Sequence, residues 1–234
     1  MSGGADLDLL RTGGWLSETP AAFREAVLSR CVLRRFERGE TLYRAGDEPG
    51  GLFGLVAGGF GVIVAPGERA PFLGILARPG FWIGEASVIT RGPRAIGIVA
   101  VRDSLAAHLP LKHWDAVVGS EPEAWRWVAL LSLRNSLLAL AVIDALRMPR
   151  SEERMAAVLA ILSWGPGAQA TGANPARPDL PIEISQEELA QMANLSRSSA
   201  GRILDAFEAR GLISRSYRMV RVLDPDGLKR RSDD

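Results

Sequence analysis

The chain has 234 residues, 47% of them hydrophobic and 24% charged, and a net charge of +1, which is the balance of a folded globular protein rather than a disordered one. That length suffices for two domains with separate cores. A net charge near zero excludes a chain that is basic throughout, though not one that is basic along a single stripe.

The single cysteine, Cys31, excludes an internal disulfide and a four-thiolate iron–sulfur cluster within one chain. Set between Leu28 and Val32, it reads as a small buried hydrophobe. The first residues lack a basic start followed by an apolar run, so no secretion signal is expected and the cytoplasm is the expected location. Residues 1–20 are glycine-rich and expected to be loose, with Leu7, Leu9, Leu10 and Trp15 able to anchor a short helix. Helical spacing of Phe23, Ala26 and Val27 predicts a helix from Pro20 to Leu33.

From Val32 to Leu111 short apolar runs alternate with turn residues. Leu52–Val56, Phe60–Val64, Phe72–Leu76 and Ile96–Ala100 are separated by Gly58-Gly59, Pro66-Gly67-Glu68, Pro79-Gly80 and Arg91-Gly92-Pro93. Many short strands at regular intervals predict a β-barrel or jelly roll. Leu111–Val118 reads as a short helix, and Glu123–Met148 as one long helix. Along the long helix Val128, Leu131, Asn135, Leu138 and Val142 follow alternating three- and four-residue steps, and Ala124 and Ala145 extend them. That pattern predicts a coiled-coil seam between two protomers. Leu130, Leu133, Leu137 and Leu140 line a second apolar face, so the helix must be covered twice, by its own barrel and by a second copy. Arg134, Asn135 and Asp144 make it a poor membrane span, and no membrane partner is expected.

Pro149 ends this helix, and another follows from Ser151 through Met155 to Trp164. Residues 165–181 form a Gly-, Pro- and Ala-rich loop. Ser185 then stands three residues before Glu188, which is a capping box. Ala193-Asn194-Leu195 breaks the helix, Ser196 caps a second one, and Arg210-Gly211 closes it. Two short helices on a three-residue turn form a helix-turn-helix, and Leu212–Val222 adds a β-hairpin wing. Arg197, Ser198 and Arg202 lie on the outer face of the second helix, where arginine can bond guanine O6 and N7. Ser196 and Ser199 stand where hydroxyls could hold phosphates, and Arg218 extends the basic surface onto the wing. Residues 197–221 hold six arginines against Asp205 and Glu208, a local charge of 6 − 2 = +4 that suits a DNA partner.

These segments resemble the Crp/Fnr superfamily, that of the cyclic-AMP receptor protein and the fumarate–nitrate reduction regulator. Ile184–Ala190 and Leu195–Leu204 resemble its helix-turn-helix, Gly39–Asp47 its entry into the sensor barrel, and Phe81–Glu85 with Gly92–Ala95 its phosphate-binding cassette. The resemblance implies an α+β fold with a cyclic-nucleotide-binding-type β jelly roll, a long dimerisation helix and a C-terminal winged helix-turn-helix. The expected boundaries are a helical lead-in at 1–30, the barrel at 31–120, the dimer helix at 121–148 and the DNA-binding domain at 149–234. It implies an effector pocket at Gly84, Glu85, Arg94 and Ala95, with Glu85 on a ribose hydroxyl and Arg94 on a cyclic phosphate. Ala95 stands where the family carries a hydroxyl, and Ala139 and Leu140 stand where its purine-contacting pair falls. Neither can hydrogen-bond a base, which weakens the case for cyclic AMP. A different small ligand, no ligand, and a structural Glu85–Arg94 ion pair all stay open. Ser198 replaces a glutamate of many relatives, so the operator is expected to differ from theirs.

The expected function is a dimeric, sequence-specific DNA-binding transcription regulator, modulated by a small effector in the barrel. The alternative is an effector-independent regulator with a degenerate nucleotide pocket. Double-stranded DNA and a second copy are the expected partners, with RNA polymerase and a small effector as further candidates. No certain cofactor, no iron–sulfur cluster and no metal site is expected. His108 and His113 read as packing or surface residues, and without an H-x-H spacing or a hydrolase motif the chain is not expected to be an enzyme.

Overall fold

A computed structural model of the chain describes residues 3–64, 72–163 and 181–229. The Pro66-Gly67-Glu68 turn, the helix end at Trp164 and all but the last residue of the 165–181 loop lie outside the described residues. Two compact units divide the chain, Met1–Pro71 with Leu76–Ser136 and Phe72–Ile75 with Leu137–Asp234.

The chain opens with three helices, α1 (Gly3–Thr12), α2 (Gly14–Ser17) and α3 (Ala21–Leu28). The glycine-rich start is therefore helical, because Leu10, Trp15 and Leu16 are buried there. Trp15 Nε1 donates to the Trp127 carbonyl at 2.7 Å, and the Trp15 ring meets Phe23 and Trp82 edge-on at 5.9 and 5.6 Å. Each such ring contributes about 1.5–3 kcal/mol by leaving water, enough to offset the entropic cost of ordering the glycines. Helix α3 ends at Leu28 rather than Leu33, because Val32 already pairs with His108 in a strand.

Eight strands follow among the described residues: β1 (Val32–Phe36), β2 (Thr41–Tyr43), β3 (Leu52–Ala57), β4 (Phe60–Val64), β5 (Phe72–Ala77), β6 (Trp82–Ile83), β7 (Gly97–Ala100) and β8 (Ser104–Leu109). They make two four-stranded sheets, ordered β1-β8-β3-β6 and β2-β7-β4-β5. Phe36 and Phe53 on the first sheet pack with Phe60 on the second, Phe36–Phe60 at 5.8 Å and Phe36–Phe53 at 6.4 Å. The β3–β4 turn needs Gly58, whose φ is +87° and whose position would drive a Cβ to 2.3 Å from the Asp103 carbonyl. A short helix, α4 (Glu85–Thr90), follows β6, and α5 (Leu111–Ser120) follows β8.

Helix α6 spans Ala124–Arg147. Its two apolar faces exchange the roles expected of them. Val128 and Leu131 belong to the core of the first unit, with Leu52, Trp82 and Trp114. Val142 is buried too, and Asn135 and Leu138 are half-buried. The seam of Val128, Leu131, Asn135, Leu138 and Val142 is thus the inward face, not the free one. Leu130, Leu133, Leu140 and Ile143 are exposed, Leu133 by 51% and Leu140 by 59%. Periodicity reveals two stripes but carries no information about which one its own domain covers. By length and composition α6 is also apolar enough to cross a membrane, against the expectation from sequence. Its buried Arg134, however, is paired with Glu18 at 2.5 Å, and the inward stripe is spent on the core.

The second unit contains α7 (Ser151–Ser163), β9 (Ile182–Glu183), α8 (Gln186–Met192), α9 (Arg197–Ala209), β10 (Ile213–Ser216), β11 (Met219–Val222) and α10 (Pro225–Lys229). Its sheet runs β10-β11-β9. Met155, Leu159, Leu189, Met192, Leu204, Phe207, Val220 and Val222 form the buried interior that orients α8 and α9.

Candidate functional site

Local chemistry fixes the helix pair. Ser185 Oγ accepts from Glu188 N at 3.2 Å while Ser185 N donates to Glu188 Oε2 at 2.6 Å, the reciprocal capping box read from sequence. Asn194 holds the turn in the left-handed region with φ +51°, where asparagine is tolerated. Ser196 then caps α9, its Oγ accepting from Ser199 N at 3.1 Å and donating to Ser199 Oγ at 2.9 Å. Gln186 Nε2 donates to the Arg197 carbonyl at 2.8 Å, which ties the first turn of α8 to the first turn of α9.

Ala200, Ile203, Leu204 and Phe207 face inward, while Arg197, Ser198 and Arg202 are exposed on the opposite side. Among the described residues neither the Arg197 nor the Arg202 guanidinium has a hydrogen-bond or ion-pair partner, so both are available to a ligand. Ser198 Oγ lies 3.1 Å from Ser196 Oγ, and the hydroxyls of Ser196 and Ser199 are engaged in the cap.

The wing is clasped to α9 by a contact that sequence reading missed. Arg215 Nε donates to Glu208 Oε2 at 3.0 Å, its Nη2 to the same oxygen at 2.7 Å and to Asp205 Oδ1 at 2.6 Å. The backbone adds Arg215 N to Glu208 Oε1 at 2.9 Å. Hydrogen bonds from Arg215 hold the Glu208 carboxyl below its ordinary range. Arg215 is therefore internally neutralised, and the DNA-facing charge is smaller than a count of arginines suggests. Arg218, at the wing tip, has φ +54° and its Nη2 lies 3.8 Å from Glu188 Oε2. Its carbonyl accepts from Ile184 N at 2.9 Å.

In the first unit, Arg94 is only 5% exposed. Its Nη1 donates to Ser87 Oγ at 2.9 Å and to the Gly84 carbonyl at 3.4 Å, and its guanidinium carbon sits 4.1 Å above the Tyr43 ring. The Nε is buried without a partner. Gly84, with φ +100°, is required beside it, since a Cβ there would lie 2.8 Å from Nη1. Burial lowers the Arg94 pKa, partly offset by Tyr43 and Glu85. Glu85 is turned toward α6 instead: burial raises its pKa and a hydrogen bond from Asn135 lowers it. Asn135 also donates through Nδ2 to the Trp82 carbonyl at 3.2 Å. No ion pair joins Glu85 to Arg94 among the described residues, which overturns the structural ion pair. Ala95 is exposed and offers no polar side chain; Ala139 is half-buried and Leu140 exposed on α6. The sequence reading missed Ser87, Tyr43 and the polar role of Asn135 at this site.

The histidines are engaged with backbone. His108 Nε2 lies 2.7 Å from the Gly50 carbonyl with its ring stacked on Phe53 at 4.2 Å, and His113 Nδ1 lies 2.7 Å from the Arg30 carbonyl. Burial pushes the Cys31 thiol up to about 12, the behaviour of an inert side chain.

Residues 33–121 match the model of the cyclic nucleotide-binding domain, and residues 153–231 match the Crp-like helix-turn-helix domain. A CRP-like cAMP-activated global transcriptional regulator of Mycobacterium tuberculosis is 29% identical over 205 residues, which cover 84% of this chain and 86% of the relative. The transcriptional regulatory protein btr of Bordetella pertussis is 27% identical over 198 residues, 83% of this chain and 78% of that one. Among solved structures, FixK2 of Bradyrhizobium japonicum shares the fold with a TM-score of 0.70 at 12% identity, covering 85% of this chain and 96% of its own. A CRP-family transcriptional regulator of Thermus thermophilus does so at 0.62 and 24% identity, covering 84% and 94%. The relatives are transcription regulators rather than enzymes. The chain belongs to the Crp/Fnr superfamily, as a transcription regulator that joins a cyclic nucleotide-binding domain to a helix-turn-helix DNA-binding domain.

Proposed function

We propose that the protein acts in the cytoplasm as a homodimer that binds an inverted-repeat site in double-stranded DNA. Helix α9 enters the major groove of each half-site, with Arg197 and Arg202 on base edges and Ser198, Ser199 and Arg218 along the backbone. Ser196 acts as the cap that orients them. The single observation that carries this reading is the pair of exposed, unpartnered guanidinium groups on the outer face of a doubly capped helix. The exposed stripe Leu130–Leu133–Leu140–Ile143 supports pairing of α6 with its copy, since four large apolar residues in line on one helix face call for a partner. The domain boundaries follow as 1–30, 31–120, 121–148 and 149–234, with RNA polymerase as a further partner of the DNA-bound dimer.

The β unit holds a small anionic effector. The buried, unpartnered Nε of Arg94 and the glycine beside it fit a phosphate oxygen. A cyclic nucleotide is one such ligand, and the Mycobacterium tuberculosis relative is described as cAMP-activated. Here Glu85 would have to leave Asn135 to take a ribose hydroxyl, and Ala95 adds no hydroxyl of its own. These two features favour a weaker nucleotide site than a cassette with that hydroxyl would give. A ligand that takes Glu85 from Asn135 changes a contact on α6, and through it biases the equilibrium between forms of the dimer.

Selection of genomic DNA fragments by the purified protein, with and without cyclic AMP, tests the reading. An inverted repeat recovered in both conditions supports the nucleotide-independent regulator, and recovery with cyclic AMP alone supports the gated one. Absence of any enriched sequence in either condition contradicts DNA recognition by the free protein.

A further inference from the structure

A cleft of about 460 Å³ opens in the second unit, lined by the end of α6, one face of α7, the C-terminal end of α9 and α10. That volume lies within the range of small-molecule sites, about 300–1,000 Å³. Its space comes from side chains too small to fill it, Ala141 and Ala145 on α6 and Ala156, Ala157 and Ala160 on α7. Phe207 and Leu212, both buried, add larger apolar groups to the lining. Helices packed only for stability fill such a space to the density of a protein interior. Here apolar surface is left uncovered.

The same cleft is lined by Asp144, Glu152 and Glu153 against Arg210, three carboxylates to one guanidinium, a net −2. Among the described residues none of the three carboxylates has an ion-pair or hydrogen-bond partner. Glu152 and Glu153 stand in the first turn of α7, where a carboxylate suits the positive end of the helix dipole. Asp144 has no such explanation. It lies in the last turn of α6, the end that favours cations, and pairs with none among the described residues. A cation seated in the cleft answers Asp144 and both glutamates at once.

We propose that the cleft binds a small apolar cation, an alkyl or aryl amine. Its hydrocarbon part covers the alanines, Phe207 and Leu212, while its ammonium group donates to Asp144, Glu152 and Glu153. Charge complementarity selects this occupant: the net −2 repels an anion, and a neutral apolar molecule leaves the carboxylates unpaired. The site is separate from Arg94, whose buried guanidinium belongs to the first unit and suits an anion. It stands without the reading of α9 as a recognition helix, because every group it uses is in the lining. A bound amine touches α6, α7 and α9 together, and so ties the end of the long helix to the one that carries Arg197 and Arg202.

The test titrates phenylbutylamine, phenylbutanol and phenylbutyrate into the full-length protein, isotopically labelled for NMR at its methionine methyl groups. Met148 lines the cleft, and Met219 stands outside it on the wing. The amine is expected to shift the Met148 resonance and leave Met219 in place, binding about tenfold more tightly than the alcohol. The acid should produce no shift. A variant combining Asp144→Asn, Glu152→Gln and Glu153→Gln should bind the amine only as well as the alcohol, with alcohol binding unchanged. Ala160→Leu fills the cleft and should abolish binding of both, with thermal unfolding as a folding control. A Met148 resonance unmoved by the amine overturns the proposal, as does amine binding that survives in folded Ala160→Leu. Equal affinity for amine and alcohol in the wild type, or equal amine affinity in wild type and carboxamide variant, overturns it as well. If Ala160→Leu does not fold, the carboxamide variant decides alone, since it keeps the shape of the cleft. Every readout is made without DNA, so failure of the operator selection leaves the outcome intact.

Discussion

Arg215 Nη2 lies 2.7 Å from Glu208 Oε2, and this contact fastens the wing to the recognition helix. Replacing Arg215 by alanine leaves α9 with both caps intact but frees the hairpin. Operator affinity should fall severalfold while helical content by circular dichroism stays constant. Because Glu208 is held below its ordinary value, the clasp is complete above the ordinary carboxylate range and is lost as pH falls through the lower folded value. Acid should therefore loosen the wild-type wing and leave Arg215→Ala unchanged, which amide exchange of residues 213–222 would report.

The opposite faces of α6 should respond differently to substitution. Leu133→Glu or Leu140→Glu should yield a folded monomer by sedimentation, since each side chain is exposed in the single chain. Leu131→Ala should leave a dimer that unfolds more readily, by about 2–5 kcal/mol as for other buried leucines. A Leu140→Glu protein that sediments as a dimer would remove this stripe from the interface.

The helix-turn-helix was readable because its determinants are local: Ser185 with Glu188, Asn194, Ser196 and Gly211 all act within four residues of where they stand. The strands were readable from apolar runs between glycines for the same reason. What was misread depends on distant partners. Val128 and Leu131 look like a free seam until Trp82 and Trp114 are found against them. Arg215 counts as DNA-facing charge until the fold brings it onto Glu208, and Glu85 counts as Arg94's partner until Asn135 takes it.

Arg202→Ala should weaken operator binding by about 1–3 kcal/mol and relax the preference at one base pair per half-site, the loss expected for a bidentate guanine contact. Competition binding against operators varied at each position would locate that base pair. An unchanged preference profile would exclude Arg202 from base reading.

Glu85 supplies a pH test within the β unit. Its folded pKa is raised, chiefly by burial, so its carboxylate opposes folding once pH exceeds the unfolded value and does so fully above the folded one. Glu85→Gln keeps an acceptor for Asn135 and removes that charge. Its melting temperature should exceed that of wild type at pH 8 and converge with it near pH 4. A difference that is constant across this range would contradict the half-buried, charge-sensitive setting of Glu85.

Presentation of α9 by two copies to successive major grooves can be read from a hydroxyl-radical and methylation footprint on the selected operator. Two symmetric patches with protected guanine N7 atoms are expected, their centres about 34 Å or one helical turn apart. A single protected patch, or two with no guanine protected, would contradict it.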